Sequence, residues 1–339
     1  MIKACVIGLG KMGISHTAIV NAHPNVDLVA VCDTSAFVLE AFKKYSKIKC
    51  YTDYNKMFDT EELDCVIVAT PTKFHYPIVN DALNKGLHVF CEKPFSLNIE
   101  EGQKLVQLAS EKGLVNQVGY HNRFFGTFNE AIRLINNNII GDIYHFIGEA
   151  YGPVIVKEKA GDWRSKRSEG GGCLFDYASH VIDLIHFVLG KTKSVSGTML
   201  KSTFSKEVED TVYASVMLEN DISGQLAVNW SDDTHRKMST SITIWGKKGK
   251  IVCDATELKI YLKAEDKKEK LDKGWTIKYI TDLTSTANYY LRGEEYSFQM
   301  DYFFDNIQNK KNENKNSFSS AFATDYTIDL LLKNSTTNG

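Results

Sequence analysis

Short apolar runs alternate with amphipathic stretches over the first third of the chain. The runs Lys3–Ile7, Asp27–Cys32, Cys65–Ala69, Leu87–Cys91 and Leu114–Val118 read as strands. Several are apolar at consecutive positions, the pattern of strands covered on both faces. Between them, apolar residues recur at helical spacing near Gly13–Ala22, Ala36–Tyr45, Phe74–Lys85 and Ile99–Lys112. Strands alternating with helices predict an α/β domain, a doubly wound parallel sheet with helices on both faces.

The pattern changes after about Tyr120. A helix over Phe128–Asn137 is followed by a strand, Ile143–Ala150, a long Gly- and charge-rich loop, Tyr151–Gly172, and a helix from Cys173 to Leu189. Six strand candidates then follow with little helix between them: Ser194–Leu200, Asp210–Leu218, Ser223–Trp230, Ser239–Trp245, Lys250–Asp254 and Leu258–Leu262. This predicts an α+β domain with a mostly antiparallel sheet, and a division into residues 1–120 and 121–339. Glu265–Lys273 and Asn306–Asn316 are rich in charge or amide and read as solvated connections, and Asn334–Gly339 as a frayed end.

Composition narrows the partners. The chain has 339 residues, 24% of them charged, and a formal net charge of −2. That balance offers no basic field to a nucleic acid backbone. No run approaches ~20 consecutive apolar residues, so no membrane span is expected. The opening MIKACVIGLG has a strand pattern and not that of a signal peptide. Seven scattered cysteines without a C-x-x-C pair suggest reduced, mostly buried thiols and a cytoplasmic protein.

The chemistry begins where the first strand ends. Gly8-Leu9-Gly10-Lys11-Met12-Gly13 is a G-x-G-x-x-G between a strand and a helix. Its glycines allow a tight turn, a close approach of backbone to pyrophosphate, and close helix–strand packing, while the helix N-terminus presents free N–H groups to the phosphates. Asp33 ends the second run and stands where a carboxylate accepts bonds from the ribose hydroxyls and repels a 2′-phosphate, which favours NAD over NADP. The competing role for Asp33 is a cap of the next helix. Thr70 and Pro71 follow the Cys65–Ala69 run at the carboxyl edge, where ligands bind in such sheets. His75 opens the next helix, as a cap, a packing residue or a cofactor contact.

Glu92-Lys93-Pro94 follows the Leu87–Cys91 run at the same edge, and Gly170–His180 leads into the Cys173–Leu189 helix with Asp176 and His180 four apart on one face. Removing a hydroxyl proton while its carbon loses a hydride suits a histidine, with a carboxylate to orient it and a lysine to stabilise alkoxide charge. Lys93, Asp176 and His180 form such a set, although an Asp/His pair on a helix is by itself more often structural. Asp183 on the same face could add a metal ligand, but no third His or Cys accompanies it, and no metal is expected. Arg123, Arg164 and Arg167 are candidates for a substrate phosphate or carboxylate, or for surface ion pairs.

These motifs resemble the Gfo/Idh/MocA oxidoreductases, the glucose–fructose oxidoreductase and inositol dehydrogenase family. The resemblance rests on Gly8–Gly13, Asp33, Ala69–Pro71, Glu92-Lys93-Pro94, Val118-Gly119-Tyr120, Asn122-Arg123-Phe124, Asp162-Trp163-Arg164 and the Gly170–Asp183 segment. It implies a Rossmann domain followed by a domain whose large open sheet commonly packs against another subunit, hence a homodimer or homotetramer. It implies Lys93 as catalytic lysine and Asp176 and His180 as the acid/base pair. Gly8, Gly10, Lys11, Met12, Gly13, Asp33, Thr70, Pro71, His75, Glu92 and Lys93 are expected to hold NAD. Tyr120, Asn122, Arg123, Trp163, Arg164, Asp176 and His180 are expected at the substrate. The activity expected is hydride transfer at a hydroxyl or keto carbon of a sugar, nucleotide-sugar or cyclitol. The alternatives are a non-catalytic dinucleotide-sensing regulator and an NAD-dependent redox-neutral glycosidase.

Overall fold

The computed structural model describes residues 1–154, 163–287, 290–311 and 315–337. Contacts within the chain separate two units, Met1–His121 with Ala287–Phe322, and Asn122–Thr286 with Ala323–Gly339.

The first unit is built on a six-stranded parallel sheet ordered β3-β2-β1-β4-β5-β6, from β1 (Ile2–Ile7), β2 (Val26–Cys32), β3 (Lys49–Tyr51), β4 (Cys65–Val68), β5 (His88–Cys91) and β6 (Asn116–Val118). Its crossovers carry α1 (Lys11–Ala22), α2 (Ala36–Tyr45), α3 (Tyr54–Thr60), α4 (His75–Asn84) and α5 (Ile99–Glu111). Strand order reverses between β1 and β4, and the crevice beyond their carboxyl ends is where open α/β sheets bind ligands. Alternate residues of β1 serve two cores. Ala4 and Val6 pack with Ile19, Val20, Phe303 and Phe304, whereas Cys5 and Ile7 pack with Val79, Phe95, Leu105 and Phe318.

The structure departs here from the sequence division at residue 120. Met300, Phe303 and Phe304, on a helix over Glu294–Gln308, close one core of this unit, and Phe318 and Ala321 close the other. Nothing in local periodicity signals so distant a return. Asn316, expected in a solvated connection, is buried. Its Nδ2 donates to the carbonyls of Val118 and Tyr120, at 3.0 Å each, extending the end of β6. Residues 312–314 of that connection lie outside the described residues. The short β3 is only partly buried, which explains why no apolar run announces it.

The second unit opens with α6 (Gly126–Asn136) and contains an eight-stranded sheet ordered β14-β13-β12-β11-β7-β10-β9-β8. The strands are β7 (Ile143–Tyr151), β8 (Thr192–Lys201), β9 (Thr211–Leu218), β10 (Ser223–Asn229), β11 (Ser239–Gly246), β12 (Gly249–Asp254), β13 (Glu257–Leu262) and β14 (Gly274–Tyr279). Neighbours pair antiparallel except β7 with β10. One face is buried under α7 (Ser179–Leu189). A Cβ on Gly148 would come within 2.8 Å of both Val181 and Ile185. The opposite face exposes Met199, Tyr213, Trp275, Ile277 and Tyr279. β14 escapes sequence reading because none of its residues is buried. The charged Glu265–Lys273 segment is the turn that leads into it.

The remaining helices are α8 (Ile280–Leu283), α9, which is the Glu294–Gln308 helix above, and α10 (Phe318–Thr337). Asn334, the first residue of the stretch expected to fray, accepts the Thr198 N–H on Oδ1 at 2.9 Å, and residues 338–339 of that stretch lie outside the described residues. The helical stretch Arg167–Leu189 is long and apolar enough to cross a membrane, yet 89% of its apolar window is buried inside the fold. The helix expected from Cys173 begins as a π-helical turn, Leu174–Ala178, before α7.

Candidate active site

At the sheet edge of the first unit, the β1–α1 turn leaves no room for side chains. Gly8 holds φ +89°, and a Cβ there would lie 2.6 Å from the Ala69 carbonyl oxygen at the end of β4. A Cβ on Gly13 would lie 1.7 Å from the Gly8 oxygen. Gly10 faces open space and ends α1 without a side-chain cap, so the N–H groups of Lys11 and Met12 in its first turn suit an anion. Asp33 accepts the Leu9 N–H on Oδ2 at 2.6 Å and the Ser35 N–H on Oδ1 at 2.8 Å. Ser35, not Asp33, caps α2. The carboxylate is therefore tied to the glycine turn, as a ribose acceptor should be. Thr70 Oγ1 is buried without a partner among the described residues, and Pro71 starts the following turn. A dinucleotide fits this edge: a cradle that side chains would fill, an uncapped helix and an orphaned hydroxyl.

Two expected cofactor ligands do something else. His75 is buried with its ring nitrogens against the carbonyls of Thr70 (2.9 Å) and Pro94 (3.0 Å), so it braces one loop on the other. Burial holds its pKa below the ordinary value. Glu92 points inward, its Oε1 2.6 Å from His16 Nε2. Lys93, the next residue, is half-buried. Tyr120, expected at the substrate, is 1% exposed and belongs to the first unit's core.

In the second unit the expected residues cluster around the start of α7. Asp176 lies on the π-helical turn, and His180 on the first turn of α7; both are buried. The Asp176 carboxylate accepts from Arg164 Nε at 3.2 Å, and the Arg164 guanidinium lies 4.6 Å from the Trp163 ring centre. Asp162 lies outside the described residues, as does the 155–161 part of the preceding loop. The glycines at 170–172 let that loop press on the helix start. A Cβ on Gly171 would sit 2.3 Å from the Arg164 oxygen, and one on Gly172 would sit 2.4 Å from Glu209 Oε1. Glu209, which no sequence signal marks, accepts the Leu174 N–H at 2.8 Å and pairs with Arg167 at 2.7 Å. Burial raises its pKa, and the Leu174 amide and Arg167 oppose that rise. Asn122 is buried, with its Nδ2 lacking a partner among the described residues.

Arg123, expected to bind substrate, grips Asp183 through Nε at 2.9 Å and Nη2 at 2.6 Å. Asp183 is thereby the buried partner of Arg123. Burial raises its pKa against the pull of Arg123. Among the described residues, no group of three His, Cys, Asp or Glu side chains is placed to hold a metal. Arg123→Ala strands a buried carboxylate, so denaturant unfolding should show a loss of about 3–5 kcal/mol. Wild-type stability with a raised KM would instead restore Arg123 to a substrate role.

Comparison with known proteins follows the same division. Residues 2–120 match the model described as "Oxidoreductase family, NAD-binding Rossmann fold", and residues 128–252 match the GFO/IDH/MocA C-terminal domain. The chain is 29% identical over 191 residues to D-glucoside 3-dehydrogenase of Escherichia coli, covering 56% of this chain and 54% of that protein. It is 27% identical over 225 residues to scyllo-inositol 2-dehydrogenase (NAD(+)) of Bacillus subtilis, covering 65% and 64%. These matches thus span about half to two thirds of the curated relatives' own length. A levoglucosan dehydrogenase solved with NADH shares the fold, with a TM-score of 0.88 at 20% identity over 100% of this chain and 98% of that one. With both of the family's domains matched in order and its nucleotide edge built as the motifs require, the chain belongs to the Gfo/Idh/MocA oxidoreductases, with an NAD-binding Rossmann unit at its start.

Proposed function

We propose that the protein is an NAD(H)-dependent dehydrogenase or reductase acting on a hydroxyl-bearing carbon of a neutral sugar or cyclitol. The observation that carries this is the cradle at the β1–β4 switch point, closed by Asp33 through its bond to Leu9. Bound NAD supplies the hydride acceptor. Asp33 takes the ribose hydroxyls, and its charge opposes a 2′-phosphate. His180 accepts the substrate hydroxyl proton, Asp176 stabilises the resulting imidazolium, and Lys93 stabilises developing charge on the reacting oxygen. A neutral substrate is favoured because the guanidiniums of Arg123, Arg164 and Arg167 already meet Asp183, Asp176 and Glu209. An anionic substrate would have to compete with these carboxylates.

The test is absorbance at 340 nm with NAD and NADP across inositols, free sugars, glycosides and UDP-sugars. Turnover of a neutral polyol with NAD, reduced by about 100-fold or more in His180→Ala while NADH affinity holds, is the expected result. Silence across the panel with NADH bound would reject the reading, and full activity of His180→Ala would reject the acid/base assignment. Asp33→Ala should weaken NAD binding and bring NADP to comparable use, by analogy with the acidic ribose contact. An unchanged NAD/NADP ratio would remove Asp33 from the site.

Two further properties belong to this reading. None of the seven cysteines is in a disulfide, which supports a reducing cytoplasmic setting. The exposed Trp275, Ile277 and Tyr279 alternate along β14 with less exposed neighbours, which supports a homodimer or homotetramer joined through the outer sheet face. Light scattering should give a multiple of 38.2 kDa that falls to the monomer mass in Ile277→Lys. A monomeric wild type would dismiss the assembly.

A further inference from the structure

One buried pair of the first unit has no place in the roles above. His16 lies on α1 three residues after Gly13 and is 0% exposed, while Glu92 ends β5 and is 7% exposed. The Nε2–Oε1 separation is 2.6 Å, a charge-assisted bond. Burial alone would raise the Glu92 pKa, but the His16 bond, followed by the charges of His16, Lys93 and His121, brings it below the ordinary value. The carboxylate is thus ionised, and His16 Nε2–H donates to it. The second carboxylate oxygen accepts the backbone N–H of Lys93 at 3.2 Å. Gly119 leaves the space: a Cβ there would lie 3.0 Å from the Glu92 carboxylate carbon. His121 stacks on Tyr296 at 4.8 Å, and Arg292, over the same Tyr296 ring, donates to Ser15 Oγ of α1 at 3.1 Å.

We propose that His16 and Glu92 are a positioning pair for Lys93, fixing that residue's backbone relative to α1, the helix whose first turn faces the pyrophosphate. A solvated loop residue needs no such device. Here a buried carboxylate spends one oxygen on the helix and the other on the amide of the lysine. The pair never meets substrate. It acts by limiting where the Lys93 side chain starts from, and small misplacements of a reacting group are costly in rate. The proposal rests on the role assigned to Lys93.

The experiment uses the full chain, the best neutral substrate of the panel, NADH fluorescence for affinity, and amide hydrogen exchange of the segment spanning residues 92–96. His16→Leu and Glu92→Ala should lower kcat by about 10- to 100-fold. KM and NADH affinity should stay within about threefold, and exchange at Lys93 should quicken. Glu92→Gln keeps the side chain's shape but only one acceptor oxygen, its NH2 replacing the other, so it should recover part of the rate lost in Glu92→Ala; it also carries the test if Glu92→Ala fails to fold. In a Lys93→Ala background, His16→Leu should cost nothing further, since the two act as one unit. Independent, multiplying losses would overturn the positioning role while leaving Lys93 in place. Unchanged exchange at Lys93 in His16→Leu would overturn it without any turnover. Wild-type kinetics in Lys93→Ala would instead remove the assignment on which the proposal rests.

Discussion

The turn from β1 into α1 passes so close to the end of β4 that the backbone itself is the only thing that fits. Gly13 abuts the Gly8 carbonyl, and Gly8 abuts Ala69. Everything at the nucleotide edge follows from that approach. It brings the uncapped start of α1 to the switch point, and it puts the Leu9 amide within reach of Asp33. It also sets the inner face of α1, with His16, against the end of β5. A side chain at either glycine would move the helix, and with it the phosphate site and the base of the Lys93 loop.

The second unit solves a different problem, how to keep several carboxylates under a sheet. Asp183 and Glu209 are each met by an arginine and are held against desolvation by directed bonds. An unpaired charge at such depth would be strongly destabilising. Asp176 has its own arginine, Arg164, but at a longer distance and with a guanidinium 41% exposed. Its placement on a π-helical turn is also unlike that of the other two, and such turns recur at functional sites. Of the three arginines only Arg123 is buried, and Asp176 differs from Glu209 in the greater length of its contact, 3.2 Å against 2.7 Å.

Legibility in the sequence tracks the range of the interactions. Five of the six parallel strands and the glycine turn are readable because periodicity and motif are local, and most strands of the second unit are readable because they hide alternate residues. β14 was not, because it hides none. His75 and Glu92 were read as ligands since their position at the carboxyl edge says nothing about which way a side chain turns. For Arg123 the sequence leaves a substrate contact and a surface ion pair both open, because a buried partner sixty residues away leaves no trace nearby. His16 had one faint signal, a polar residue on the packed face of α1. Glu209 had none.

The return of Ala287–Phe322 to the first unit has a consequence for how the protein comes into being. As synthesis proceeds, the strands of the nucleotide-binding sheet are complete by Val118, but Met300, Phe303 and Phe304 are not yet made. Ile19, Val20, Val26 and Leu28 lack that cover until the Asn122–Thr286 part of the second unit has emerged. A nascent chain with such a face uncovered is prone to wrong association, which is the general hazard of folding before all contacts exist. The order of residues along the chain thus inserts the Asn122–Thr286 part of the second unit between the two parts of the first, and the nucleotide-binding sheet is covered only after that part has been made.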